Sequence, residues 1–203
     1  MSKNNPVIAL AGNPNVGKTT LFNALTGSHQ SVGNWPGVTV EHKQGYFLFK
    51  GKRYEVIDLP GIYSLAATSP DEQVARDYLL QKKPDLVINI VDASNLERNL
   101  YLIVQLLELE LPTVVVLNMM DIADKQGLKI DVTELSHALG VPIVSAVARR
   151  EQGVDEIVAA ACHVSVGSAP RCRLDYGPEI EGEITKNPRL EDELEELKKL
   201  LNH

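Results

Sequence analysis

Residues Gly12 to Thr19 read GNPNVGKT, the spacing G-x-x-x-x-G-K-[ST] that builds a phosphate-wrapping turn. The glycines permit a tight loop whose backbone N–H groups face an anion, and a helix starting just after it adds its positive dipole end. Lys18 brings a full positive charge to β and γ oxygens, and Thr19 a hydroxyl suited to Mg²⁺. Asn13, Pro14, Asn15, Val16, Gly17 and Thr20 complete the turn. Further along, DLPGIY supplies Asp58, Leu59, Pro60 and Gly61, an Asp-x-x-Gly turn in which Asp58 reaches Mg²⁺ through water and Gly61 senses a γ-phosphate.

A third cluster addresses the base. Asn118, Met119 and Asp121, from NMMD, stand where guanine-specific phosphate-loop proteins place Asn-Lys-x-Asp. The Asp121 carboxylate can accept from guanine N1 and N2, groups that adenine lacks or presents with opposite polarity. An unpaired carboxylate there would reject ATP by a factor of about 10⁴. Met119 replaces the usual lysine with a flexible, uncharged thioether, which predicts guanine selectivity with weak binding and quick exchange. Ser145, Ala146 and Val147 follow the next strand, where the Ala146 amide could meet guanine O6.

The position after Gly61 raises a difficulty. Ras-type GTPases keep a glutamine there to orient the attacking water, and here it is Ile62. Hydrolysis of GTP to GDP and phosphate must then rely on other groups, Asn15, Lys18, Thr39 and Gly61, and slow intrinsic turnover follows. Thr39, in the stretch Gly37-Val38-Thr39, is the candidate for the mobile threonine that completes a Mg²⁺ shell when γ-phosphate is present. Asn15, inside the phosphate turn, could lend its side-chain oxygen to a monovalent cation, with carbonyls of Gly33, Asn34 and Trp35 closing the shell. Trp35, in a Gly- and Pro-rich loop, reads as a reporter of loop movement rather than fixed core. His29 and His42 read as surface residues, not ligands.

The elements that position these groups are apolar runs alternating with helical patterns. PVIALAG, YFLF, YEVIDLPG, DLVINIVDAS, LPTVVVLNMMD and VPIVSAV read as strands, and TTLFNALTG, DEQVARDYLLQK, LERNLYLIVQLLELE, VTELSHALG and VDEIVAAACHV as helices. The alternation predicts an α/β fold with a six-stranded, mostly parallel sheet, helices on both faces and nucleotide at the C-terminal strand ends. YFLFKGKRYEVIDL, turning at Lys50-Gly51-Lys52, adds one antiparallel edge strand. Residues 1–166 form this unit. Residues 167–203 change composition: the stretch from Glu179 onward carries eight acids against four bases, reading as a helical extension or partial helical domain.

The net charge of −7 over 203 residues argues against a broad nucleic-acid face. Two isolated cysteines, Cys162 and Cys172, fit neither a disulfide framework nor a zinc site. No apolar run approaches the roughly 20 residues of a spanning helix, so the chain alone reads as soluble.

The stretches VGNWPGVTVE, SPDEQVARDYLL and VDASNLERNLYLIVQLLELELPTVVVLNMMDIA, added to the motifs, resemble the cytosolic GTPase domain of the FeoB ferrous-iron transporters, over roughly residues 6 to 165. The resemblance implies a regulatory GTP-binding domain at the cytoplasmic face of the bacterial inner membrane, followed by a helical domain and a C-terminal membrane domain that is absent here, with oligomers formed through the full-length protein. It implies Mg²⁺ and GTP or GDP as ligands, stimulation by K⁺, and a hydrophobic residue in place of the glutamine. Two other readings share the motifs: a potassium-dependent GTPase of RNA modification or ribosome assembly, and a nucleotide sensor that signals through the acidic tail.

Overall fold

The computed structural model describes residues 5–166; the extension over 167–203, with Cys172, lies outside the described residues. Within them the elements run β1 (Val7–Gly12), α1 (Lys18–Thr26), β2 (Gln30–Asn34), β3 (Glu41–Phe49), β4 (Lys52–Asp58), α2 (Pro70–Asp77), β5 (Leu86–Asp92), α3 (Leu96–Glu108), β6 (Thr113–Asn118), α4 (Met120–Lys125), α5 (Val132–Leu139), β7 (Ile143–Ser145) and α6 (Val154–Val166). A π-helical turn, Tyr78–Lys82, extends α2, and 3₁₀ turns occupy Ala93–Asn95 and Ala148–Arg150.

The strands form one sheet in the order β2-β3-β4-β1-β5-β6-β7. From β4 through β7 every ladder is parallel, while β3 is antiparallel to both β4 and β2. The sheet therefore has seven strands rather than six, and the antiparallel strand is second from the edge. The seventh, β2, is the QSVGN stretch, which is not among the apolar runs. Its side chains are all exposed, so it carries no apolar alternation and is defined by backbone pairing alone. The hairpin between β3 and β4 turns at Lys50 and Gly51, both at positive φ (50° and 75°), a geometry that matches the twist of the flanking strands.

The central strands bury both faces. Along β1, Ile8 and Leu10 point into a core with Leu21, Phe22 and Leu25 of α1 and Ile157 and Ala161 of α6. Ala9 and Ala11 point oppositely, toward Leu79, Leu102 and Leu106. A third cluster joins Val91, Val115 and Leu117 to Ile103, Leu107 and Leu139. These layers hold the C-terminal ends of β4, β1, β5 and β6 in a row, and the chemistry-bearing turns emerge from β4, β1 and β6. Among the described residues, no helix is long and apolar enough to cross a membrane.

Helix α2 starts with a capping box: Ser69 accepts from the Glu72 amide, and Glu72 reaches back to the Ser69 amide. Glu72 also accepts from the Thr68 amide (3.0 Å) and hydroxyl (3.1 Å) and from the Tyr63 amide (3.4 Å), tying the end of DLPGIY to the helix. The Thr68 amide leads in holding the Glu72 carboxyl below its ordinary 4.5, with burial opposing and the Ser69 and Tyr63 amides and the Thr68 hydroxyl assisting. A depressed carboxylate pKa gives stability that is present above the unfolded-state value and lost as pH falls through the folded-state value. Glu72→Gln should therefore unfold at lower urea than the native chain at about pH 7, the gap closing toward about pH 3. An undiminished gap in acid would show that the ionised carboxylate is not what these donors stabilise.

Candidate nucleotide site

The phosphate turn leaves β1 at Gly12 and enters α1 at Lys18, with Gly17 at the helix N-cap in the left-handed region (φ 90°). A side chain at Gly17 would be strained there and would place its Cβ 2.3 Å from Asn118 Nδ2. No side chain caps α1 and no acid lies in its first turn, so its leading N–H groups and positive dipole end suit an anion. Asn15 also adopts positive φ (67°), and its exposed side chain makes no hydrogen bond to another described residue.

Lys18 and Thr19 converge on Asp58 from the end of β4. The Thr19 hydroxyl donates to Asp58 Oδ2 (3.0 Å), and Lys18 Nζ lies 3.5 Å from Oδ1. Asp58 is 7% exposed, and its Oδ1 has no hydrogen-bond partner; neither does the buried Asn13 Nδ2. The carboxylate and hydroxyl oxygens are hard donors that fit Mg²⁺, and the ammonium in reach of them fits phosphate beside it.

DLPGIY follows directly. The Leu59 amide donates to Leu10 O and the Ile62 amide to Gly12 O (both 3.1 Å), while Gly61 lies so close to Pro14 that a Cβ would come within 2.9 Å of its ring. The Ile62 side chain is fully buried with Leu59, Leu79 and Leu102. It faces the core, not the phosphate side.

Thr39 is not brought to this group. It is exposed in the loop between β2 and β3, which is closed by Trp35 N donating to Val40 O (2.9 Å) and Val38 N to Trp35 O (3.3 Å). Gly37 and Val38 are exposed with it, and Gly33 and Asn34 belong to β2. Trp35 corrects a second expectation: it is half-buried against His42 (4.3 Å between ring centroids) and Tyr78 (5.3 Å), with its indole N–H buried and unpartnered.

The base side is built around Asn118. Its Nδ2 donates to Val16 O in the phosphate turn (2.8 Å), and its Oδ1 accepts from the Ala148 amide (2.9 Å). A cleft beside it is lined by Gly17, Thr20, Met119, Asp121, Ile122, Val147 and Arg149. Met119, at positive φ (62°), is the N-cap of α4 and turns the chain so that Asp121 lies in the helix's first turn. Ser145 ends β7, and the Ala146 amide, expected to meet the base, donates instead to Leu117 O (2.8 Å); the Val147 amide is taken by Gln152 O.

Arg149, which the motifs did not single out, donates to Asp121 Oδ2, and Arg150 approaches the same oxygen at 3.9 Å. Desolvation alone would push the Asp121 carboxyl up; the Arg149 hydrogen bond and the charges of Arg149, Arg150 and Lys125 outweigh it and bring the carboxyl below its usual range. The signal in the sequence was two consecutive arginines just past Ser145-Ala146-Val147 in an acidic chain. A larger cleft, about 450 Å³, lies over the β2–β3–β4 edge beside His29, Tyr46 and Arg53. It contains none of the residues above, so motif geometry rather than cavity size locates the site.

Asn118→Ala would strip partners from Val16 O and the Ala148 amide at once. We expect a loss of about 2–6 kcal/mol, from two unsatisfied buried groups at about 1–3 kcal/mol each, measurable by urea denaturation. A loss within ~0.5 kcal/mol would mean that the two turns do not depend on this side chain.

Comparison with known proteins bears out the resemblance. The family model described as ferrous iron transport protein B matches residues 6–161. The Fe(2+) transporter FeoB of Salmonella typhimurium is 56% identical over 154 residues, which is 74% of this chain and 20% of the relative. The chain thus spans about a fifth of the length of the curated relatives it matches. Among solved structures, the cytosolic domain of the T. maritima FeoB iron transporter superposes in a GDP form with a TM-score of 0.83 at 46% identity, covering 90% of this chain and 73% of that one. Its GMPPNP form gives 0.82 at 48%, covering 89% and 72%.

Proposed function

This chain belongs to the ferrous iron transport protein B family, and on that premise we propose that it binds guanine nucleotide and hydrolyses GTP to GDP and phosphate as the regulatory domain of a ferrous-iron membrane transporter. The observation that carries the reading is the meeting of Lys18 and Thr19 on the buried Asp58, at 3.5 and 3.0 Å. Two separate motifs, the phosphate turn with its cation and hydroxyl and DLPGIY with its carboxylate, meet where α1 begins. Relatives solved in GDP and GMPPNP forms support a guanine nucleotide in particular.

In this reading the turn from Gly12 to Thr20 holds the phosphates by backbone N–H groups, and Lys18 leaves Asp58 to meet β and γ oxygens. Thr19 directly, and Asp58 through water, would hold Mg²⁺, which when bound neutralises charge between the terminal phosphates. Asp121 accepts from the guanine edge, Asn118 keeps base and phosphate ends in register, and Met119 covers the base without adding charge. Thr39 joins only after the loop over 35–40 has moved, as Gly37 and Val38 move with it. The Gly61 amide positions the γ-phosphate or attacking water, since Ile62 is committed to the core.

Missing a catalytic glutamine, the site draws on a monovalent cation. Asn15, exposed, in the left-handed region and free of hydrogen bonds to other described residues, is suited to offer its carboxamide oxygen to K⁺. A membrane domain of the full-length transporter would couple the nucleotide state to iron transport at the inner membrane.

Two measurements test this. Asp121→Asn should weaken GDP binding by at least about 10²-fold and favour xanthosine diphosphate, whose edge suits an amide; unchanged GDP binding sinks the base assignment. Hydrolysis should run at least about 10-fold faster in K⁺ than in Na⁺, in keeping with the worth of a positioned charge at the transition state. In Asn15→Ala that preference should vanish while GDP still binds. Equal rates in both salts for the native chain would remove the cation from the mechanism.

A further inference from the structure

Asp121 is the group that must read guanine, yet it is already engaged. Its side chain is 12% exposed, and a carboxylate so enclosed is costly unless something donates to it. Arg149 does so through Nη2, with Arg150 at 3.9 Å from the same Oδ2.

The chemistry of the two donors is alike. The edge of guanine that Asp121 would meet, N1–H, C2 and N2–H₂, is itself a guanidine fragment, and the Arg149 side chain presents the same planar N–C–N arrangement of donors. Arg149 also lines the cleft that would take the base, beside Gly17, Met119 and Asp121.

The mounting of Arg149 suits an exchangeable contact. Its backbone lies in the 3₁₀ turn Ala148–Arg150, fixed by the Ala148 amide on Asn118 Oδ1, the Arg150 amide on Val147 O (2.8 Å) and the Glu151 amide on Ala148 O (3.0 Å). The side chain above it is 58% exposed, so the guanidinium can leave for water while the turn stays in place.

Resting on the guanine reading above, we propose that Arg149 is an internal competitor for guanine: it occupies Asp121 when the base is absent, is displaced when the base binds, and takes the carboxylate back as the base leaves. The empty pocket is thereby stabilised relative to the filled one. Apparent affinity falls by the fraction of molecules in which Arg149 holds the carboxylate, and release of the base is assisted because Asp121 is never left unpaired.

The test is release of a fluorescent GDP analogue from the native chain, Arg149→Ala and Arg149→Lys, each first shown to be folded by its urea midpoint. Release from Arg149→Ala should be about two- to five-fold slower than native, the range an ion pair with one exposed partner supports. Arg149→Lys, which keeps the charge but not the planar pair of donors, should fall between. In an Asp121→Asn background loaded with a xanthosine diphosphate analogue, Arg149→Ala should change release little, because the carboxylate contested by arginine is gone. A native chain that holds no GDP would sink the guanine reading itself. Native GDP binding with unchanged or faster release from Arg149→Ala sinks only the competitor, and so does an equal slowing in the Asp121→Asn background.

Discussion

One buried carboxamide, Asn118, sets the geometry on which the rest of the site depends. It is 4% exposed and joins a carbonyl of the phosphate turn to an amide of the turn that carries Arg149. Hydrogen bonds in so enclosed a place are strong when complete and damaging when broken. The absence of a side chain at Gly17 follows from it, because the space a Cβ would fill is occupied by Asn118 Nδ2. Phosphate end and base end therefore form a single unit, referenced to the ends of β1 and β6 with β5 between them.

DLPGIY is shaped by the same priority of packing. Its backbone is stitched to β1 by Leu59 and Ile62 amides, and both side chains enter the layer between the sheet and the helices α2 and α3. An isoleucine at position 62 is thus a core residue first. A glutamine in that orientation would bring a carboxamide into an apolar cluster, where it would need partners of its own. The residue type follows from the direction of the side chain, and the chemistry is left to backbone, metal and the phosphate turn.

Legibility in the sequence followed from how each feature is held. Strands β1, β5 and β6 are covered on both faces, so they are written as unbroken apolar runs; α3 shows its buried stripe at helical spacing. The phosphate turn is legible because backbone conformation demands glycine at fixed places. Strand β2 was not legible, since all its residues are exposed and only main-chain pairing defines it. Trp35 was misread for a related reason: its loop composition is polar, but Tyr78 and His42, distant in sequence or across a turn, make the surface on which it rests. The Ala146 amide was assigned to the base from its position alone, whereas β7 continues its ladder and bonds that amide to Leu117. Arg149 escaped because an ion pair to Asp121 depends on the 3₁₀ turn that aims it, and no spacing rule describes that turn.

The exposure of β2 also divides the molecule by depth of stability. Strands β1 and β5 can lose their hydrogen bonds only if the clusters on both of their faces come apart, which amounts to unfolding the domain. Strand β2 is attached by one ladder to β3 and covers no core with its own side chains. Segments of this kind open locally at a small fraction of the global free energy. The strand from Gln30 to Asn34 can thus peel away and resettle while the phosphate turn and base pocket keep their shape, so one sheet carries a readily remodelled edge and a fixed site.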